Sequence, residues 1–314
     1  MLLAAQAVMS VIALVLVIRL VSGEELRRAL ATARPWPLVA ALACVVLDRV
    51  LMAAKWGILL RAQGLARPLG QLIRIYFVGT FYGSFLPTGV GGDVIRVFQV
   101  ARGKHEMSAA TASVIMERAL GLIALAALVL VCLTTFVLRE RADWMPFLGL
   151  VVVALLIGIG GLAWALHGRV HGGLAGRLHG RVPPRLARFA EVFRVYAGRR
   201  PALVSFFIFS LFEQLVPVVA NYWMGRALGL ELSFWTFLLV IPIVLFLVRI
   251  PISLDGLGVQ EGLYVTLFAQ AGLGPSQAFL LSLVGRAVTL VGVLPGCFLK
   301  LDRTSRPVAA ATRS

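Results

Sequence analysis

Ionisable residues recur inside the long apolar stretches of this chain, next to two glycine-rich breaks. The first break reads Phe85-Leu-Pro87-Thr-Gly89-Val-Gly91-Gly92-Asp93-Val-Ile-Arg96, and the second Arg249-Ile-Pro251-Ile-Ser-Leu-Asp255-Gly256-Leu-Gly258-Val-Gln-Glu261-Gly262. Glu117-Arg118 and Arg286 follow them within apolar runs. An ionisable group inside a membrane span costs about 2.5–3.5 kcal/mol on insertion scales, so each is a functional candidate. Asp93, Arg96, Glu117, Arg118, Arg249, Glu261 and Arg286 are therefore the candidates for binding or gating. Arginine's planar fork of donors suits phosphate, and backbone N–H groups in glycine turns add anion contacts. The chemistry these residues offer is recognition of a polar, phosphate-bearing headgroup in a cavity. A structural reading stays open beside it. An acid that opens a helix interacts favourably with the N-terminal dipole, and the charges can simply pair with one another. Glu117 and Arg118 point about 100° apart on a helix, so they must reach different partners. Asp48, Arg49, Lys55 and Glu213 also lie in apolar runs. Snorkelling from near a span end is open to Arg49 and Lys55, and position favours it for Lys55 more than for Arg49.

The breaks are informative because of what surrounds them. The chain has 314 residues, of which 60% are hydrophobic and only 14% charged, and its mean hydropathy is +0.93. A soluble domain runs near 25% charged, so these values specify an integral membrane protein. Apolar segments are expected at 2–20, 36–60, 73–86, 109–138, 144–166, 202–224, 232–248, 257–271 and 278–299. Several reach the ~20 residues needed to cross the hydrocarbon core. The expected architecture is all-α: a polytopic helical membrane protein with about seven or eight spans and two broken or re-entrant segments. Pro87, Gly89, Gly91 and Gly92 are the hinge positions of the first break, and Pro251, Gly256 and Gly258 those of the second. The apolar N-terminus lacks a basic leader and a small-residue cleavage site, so it is expected to stay as a first span.

An offset of 168 residues, the separation of Asp93 and Glu261, superimposes the two breaks. It also matches Ser108 with Ser276, Ala110 with Ala278 and Arg118 with Arg286. Each unit reads as glycine break, acid, short helix, serine at a helix N-cap, then a long span carrying an arginine. Loop charges orient the units. The segment 167–200 holds eight arginines against Glu191, so it is expected to be cytoplasmic. The segment 96–108 and the tail share that side. The long spans of the two units then run in opposite directions, the signature of an inverted repeat. The expected organisation is one transmembrane domain over 1–300. Its repeat halves, roughly 36–138 and 202–300, are joined by the basic cytoplasmic loop 167–200, and a disordered basic tail occupies 301–314. Leu186, Phe189, Phe193 and Tyr196 recur at helical spacing within the loop. They suggest either an amphipathic helix on the inner leaflet or a linker helix packed on the bundle.

Other chemistry finds little support. The net charge of +16 falls mainly between apolar segments, where orientation and anionic inner-leaflet lipids account for it. Nucleic acid is not an expected partner. Cys44, Cys132 and Cys297 are far apart in apolar runs. The histidine pair His167 and His171 has no carboxylate nearby, so no metal is expected. No Walker A, HExxH or Ser/His/Asp pattern is present, Gly89-Val-Gly91-Gly92 lacks a Rossmann context, and no cofactor is expected.

Three motifs in order, Phe85-Leu-Pro-Thr-Gly-Val-Gly-Gly-Asp93-Val-Ile-Arg96, Ser113-Val-Ile-Met-Glu117-Arg118-Ala-Leu-Gly121 and Pro251-Ile-Ser-Leu-Asp-Gly-Leu-Gly-Val-Gln-Glu261-Gly262, resemble the transmembrane region of lysylphosphatidylglycerol synthases and its free-standing, flippase-like relatives. Lys55-Trp56 resembles that family's basic–aromatic pair. The resemblance covers nearly the whole chain. It implies a translocator of lipid headgroups. In the full synthases a separate soluble domain makes the aminoacylated lipid; no such domain follows the last span in this sequence, so aminoacyl transfer is not expected. The expected function is movement of a phospholipid or polyprenyl-linked glycolipid headgroup across the cytoplasmic membrane, without enzymatic activity. Two alternatives are a non-catalytic membrane partner of a lipid-modifying enzyme and a lipid-linked glycosyl or phosphoryl transferase. Expected partners are a membrane lipid substrate, anionic inner-leaflet lipids at the basic loop and a lipid-synthesis enzyme.

Overall fold

The computed structural model describes residues 24, 33–86, 91–101, 103–139, 149, 152–153, 156–158, 160, 196–249 and 256–299. These are helices joined by short turns and connections, with no strand among the described residues. The expected first span, most of 144–166, the basic loop up to residue 195 and the tail from residue 300 lie outside them, as do Pro87, Gly89, Pro251 and Asp255.

The described residues hold ten helices: α1 (Pro35–Ala62), α2 (Leu69–Gly83), α3 (Gly91–Val100), α4 (Lys104–Arg139), α5 (Arg200–Glu213), α6 (Leu215–Ala227), α7 (Phe234–Val248), α8 (Val259–Ala269), α9 (Pro275–Val293) and α10 (Pro295–Phe298). Among the described residues four stretches are long and apolar enough to cross a membrane: Pro35–Ala62, Glu106–Thr135, Arg200–Ala227 and Pro275–Phe298. Phe234–Val248 is a shorter apolar helix. The chain is thus a polytopic helical membrane protein.

Local sequence explains the helix ends. Proline stands at the first turn of α1, α5, α9 and α10, where its missing N–H is an orphan anyway. Pro217 has no N–H to offer the carbonyl of Glu213, and the helix breaks between α5 and α6 at Gln214. Ser233 caps α7 by accepting from the Thr236 N–H at 3.3 Å. The α9 cap is Gly274, not a serine as expected: the Gln277 side chain accepts from its N–H at 3.3 Å, and Ser276 falls inside the first turn behind Pro275.

α1 is the hub. It packs against α2, α4, α5, α6 and α9, and its entrance is tied to the end of α6 by the Arg34 N–H donating to the Ala227 carbonyl at 2.8 Å. At that end Trp36 meets Trp223 edge-to-face at 4.9 Å, and Trp235 is exposed nearby in sequence to the Phe234–Tyr222 contact. Exposed tryptophans at helix ends fit the aromatic belt of a bilayer interface. At 28 residues α1 is ~42 Å long, more than the ~30 Å core requires, so it must tilt or protrude.

Neither α2 nor α3 has the length of a span. They lie together because Gly79, Gly83 and Gly92 have no side chains. A Cβ on Gly92 would stand 2.6 Å from the Gly79 carbonyl oxygen, and one on Gly83 2.8 Å from the Gly92 backbone. Small residues at such spacing let helix backbones approach in a membrane. α2 begins at Leu69, behind Pro68, earlier than the apolar pattern alone indicates.

Three apolar clusters hold this arrangement. One joins α1, α4 and α6–α9 around Phe237 and Phe268. A second joins α1–α4 around Trp56. The third places Tyr196 and Phe206 against α1 and α4. Tyr196 is fully buried and donates to the Leu59 carbonyl at 3.2 Å. This end of the basic segment therefore packs on the bundle; Leu186, Phe189 and Phe193 lie outside the described residues.

Candidate functional site

The short approach of α3 to α2 carries its first turn up to α4. Asp93, the third residue of α3, accepts from Arg96 Nη1 at 3.3 Å through Oδ1 and from Arg118 Nε at 2.5 Å through Oδ2. Arg96 Nη2 donates to Glu117 Oε2, and Glu117 Oε1 accepts from the Tyr76 hydroxyl at 3.2 Å. Glu117 and Arg118 thus reach different partners, as their helical offset requires, and both partners sit on α3. The four residues form one chain of charge, Arg118–Asp93–Arg96–Glu117. Arg96 is also held between two rings. Its guanidinium carbon lies 4.2 Å from the Tyr76 centroid and 4.3 Å from that of Trp56, where cation–π attraction offsets some of the lost hydration. Trp56 is fixed in turn by its indole N–H donating to Ser113 Oγ at 3.0 Å.

The second break builds a matching unit. Gly256 and Gly258 turn the chain at φ 70° and 78°, a region that glycine enters without strain. The following helix, α8, carries Glu261 in its first turn. Glu261 Oε2 accepts from the Gly258 N–H at 2.6 Å, capping the helix, while Oε1 accepts from Arg286 Nε at 2.5 Å. The structural and ion-pairing roles of this acid therefore coexist on one carboxylate. The Arg118–Asp93 and Arg286–Glu261 pairs use the same arginine atom at the same separation, across α3–α4 and α8–α9. At the 168-residue offset the units then diverge: Tyr264 stands where the first has Arg96, and Gly285 where it has Glu117. Tyr264 donates to Asn221 Oδ1 at 2.7 Å.

A further group of charges sits on α1. Arg49 Nη2 donates to Asp48 Oδ2 at 2.6 Å. Lys55 is paired with Glu213 of α5, and both side chains are buried, at 3% and 5% exposure. Lys55 does not snorkel: its side chain is buried inside the bundle, where Glu213 is the partner that compensates its burial. Arg249, at the end of α7, is exposed, lies within electrostatic reach of Glu213 and Asp48, and has its guanidinium beside Gly121 of α4. Of the predicted cavity residues, Asp93, Arg96 and Arg118 line the smaller of the two cavities below and Arg286 the larger, while Glu117, Arg249 and Glu261 line neither. Among the described hinge positions, Gly91 is buried against Leu86, and Gly92, Gly256 and Gly258 make the close turns and approaches described above.

Two cavities adjoin these groups. The larger, about 610 Å³, lies among α1, α6, α7, α8 and α9. Its wall is largely apolar, with Cys44, Val45, Met224, Leu245 and Val248, and carries Asp48, Arg49, Asn221, Tyr264 and Arg286. The smaller, about 260 Å³, lies among α1, α2, α3 and α4 and is walled by Arg49, Tyr76, Thr80, Ser84, Asp93, Arg96, Arg118 and the glycines of the α2–α3 contact. Arg49 and Ser84 line both. Among the described residues no group of three or more His, Cys, Asp or Glu side chains converges to hold a metal. Tyr76, Asn221 and Tyr264 were not singled out from sequence. The available signal was a polar group inside an apolar run, which for tyrosine is weak because its ring packs like any core aromatic.

Comparison with known proteins agrees with this architecture. Two relatives are UPF0104 membrane proteins of Methanothermobacter thermautotrophicus. Each is 24% identical over 90% of this chain, covering 88% and 89% of the relatives' lengths. The model of the lysylphosphatidylglycerol synthase TM region matches residues 3–296. With nearly its whole length matched and a helical membrane fold that seats the quoted motifs, the chain belongs to the lysylphosphatidylglycerol synthase TM region family.

Proposed function

We propose that this protein is a lipid translocator that moves a phospholipid or polyprenyl-linked glycolipid headgroup across the cytoplasmic membrane, without chemical modification of the lipid. The observation that supports it most directly is the pair of cavities meeting at Arg49, one largely apolar and one polar, flanked by the two matched acid–arginine pairs. A lipid needs both environments at once. Its headgroup must be solvated by fixed donors and acceptors, while its tails remain in an apolar surround. Charged groups here are compensated by partners, which makes a hydrophilic passage tolerable inside the bilayer. The repeat offers the two arrangements that alternating access needs, one facing each leaflet. Binding of the basic loop to anionic inner-leaflet lipids and association with a lipid-synthesis enzyme belong to the same proposal.

The test is reconstitution of the purified chain into vesicles holding fluorescent-headgroup lipids, with an impermeant quencher added outside. Quenching beyond the outer-leaflet half, faster than in protein-free vesicles for at least one lipid class, is expected. Rates equal to empty vesicles across anionic, zwitterionic and polyprenyl-phosphate lipids would overturn the reading.

A further inference from the structure

The smaller cavity has an unbalanced wall. Its charged groups are Arg49, Arg96 and Arg118 against Asp93 alone. The other acids that compensate these arginines stand elsewhere: Asp48 faces the larger cavity, and Glu117 lines neither. The side chains of Arg96 and Glu117 are 5% and 7% exposed, so this ionic frame is built into the protein. Arginine carries five donor hydrogens. The Nε–H groups of Arg49 and Arg96 are buried without a hydrogen-bond partner among the described residues. Buried donors without acceptors are rare, and an acceptor held in the adjoining cavity would satisfy these two. An acceptor-rich anion with no donors fits best, and a phosphate diester is one. Guanidinium forks match its non-bridging oxygens.

Resting on the translocation reading above, we infer that the smaller cavity is a phosphate-type oxyanion site held by Arg49, Arg96 and Arg118. The headgroup phosphate of the lipid occupies it while the chains extend into the larger, apolar cavity. Arg49 lines both chambers, so the phosphate keeps one guanidinium contact as it passes between them. The second repeat is built differently. Tyr264 and Gly285 replace Arg96 and Glu117 at the matching positions, so among the described residues Arg286, paired with Glu261, brings its charge to the larger, apolar cavity without a second arginine from α8. The two repeats are therefore unequal: the first binds the anion, and the second forms the passage.

The full chain in maltoside micelles, which contain no phosphate, is titrated calorimetrically with dihexanoyl phosphatidylglycerol, dihexanoylglycerol and inorganic phosphate. The phosphatidylglycerol is expected to bind and the phosphate-free glyceride not to. Arg49→Gln and Arg118→Gln should each weaken binding about ten-fold, the loss of one charge-assisted hydrogen bond. Arg286→Gln should weaken it less than three-fold, and Arg226→Gln, an exposed charge at the end of α6, should not change it. Arg118 is half exposed, so its substitution tests the site without opening the core. Equal binding of the glyceride, or a loss in Arg286→Gln as large as in the two first-repeat variants, overturns the assignment. So does unchanged binding in both first-repeat variants, or no binding of either oxyanion. Binding of inorganic phosphate without the lipid overturns the lipid source and leaves an oxyanion site. Vesicle transport separates the two readings. Translocation with unaltered binding in Arg49→Gln and Arg118→Gln removes the site alone; the expected binding without translocation removes the translocator alone.

Discussion

Asp93 and Glu261 each accept from the Nε of an arginine 25 residues further on, yet their neighbours give them different work. Glu261 caps its own helix, whereas Asp93 spends its second oxygen on Arg96. The buried charges on α1 add a third ionic group, Lys55 with Glu213, and here the physics is that of an ion pair withdrawn from water. Removing one partner leaves the other charge buried and uncompensated, which costs about 3–5 kcal/mol, while replacing both with apolar groups is often neutral. Lys55→Met and Glu213→Leu are therefore each expected to lower unfolding stability in micelles by about 3 kcal/mol. The double variant should recover most of that loss. Additive losses in the double-mutant cycle would show that the two residues do not depend on each other.

At the scale of elements, the site depends on two short helices that cannot cross a bilayer. α2 and α3 are held together through glycine faces, and their contact sets the distance from Asp93 to α4. Gly92→Ala places a methyl 2.6 Å from the Gly79 carbonyl oxygen, against rigid backbone rather than a pliable side chain. It is expected to lower the thermal midpoint and to slow transport, because α3 must move away from α2 to relieve the overlap and so displaces Asp93 relative to α4. Gly70→Ala, where an added Cβ meets nothing within 4 Å, is the matched control and should raise helix stability slightly. Thermal unfolding of both variants decides this; equal midpoints would mean that the α2–α3 contact is looser than the backbone distances indicate. The break at Gln214 shows the same economy on the other side. Pro217 interrupts the helix, and the freed turn lets the Gln214 side chain donate to the Gly121 carbonyl of α4 at 3.2 Å.

At the scale of the molecule, the proposal needs the two acid-bearing units to approach from opposite leaflets. Gly103, just before α4, and Ala271, just before α9, are exposed and occupy equivalent places in the two repeats. With Cys44, Cys132 and Cys297 replaced, Gly103→Cys is expected to react with an impermeant thiol reagent from the cytoplasmic side only, and Ala271→Cys from the opposite side only. Reaction of both from one side would remove the inverted arrangement and alternating access with it.

Much of this protein was legible in its sequence because the bilayer is a severe solvent. Apolar length located the spans Pro35–Ala62, Glu106–Thr135 and Arg200–Ala227 within a few residues, since a peptide group unpaired in lipid is too costly to leave the shape ambiguous. The same severity made Asp93, Glu117, Arg118, Glu261 and Arg286 conspicuous, and the 168-residue offset alone registers Asp93 with Glu261 and Arg118 with Arg286. Sequence could not say that Lys55 finds Glu213, 158 residues away, that Arg96 lies between Trp56 and Tyr76, or that Arg249 lines neither cavity while Arg49 joins two chambers. Those outcomes depend on which helix faces meet. Periodicity does not encode the meeting, because in these helices nearly every face is apolar and lipid competes equally for all of them. Only the close packing of glycine on backbone and of acid on arginine chose the faces that now enclose the cavities.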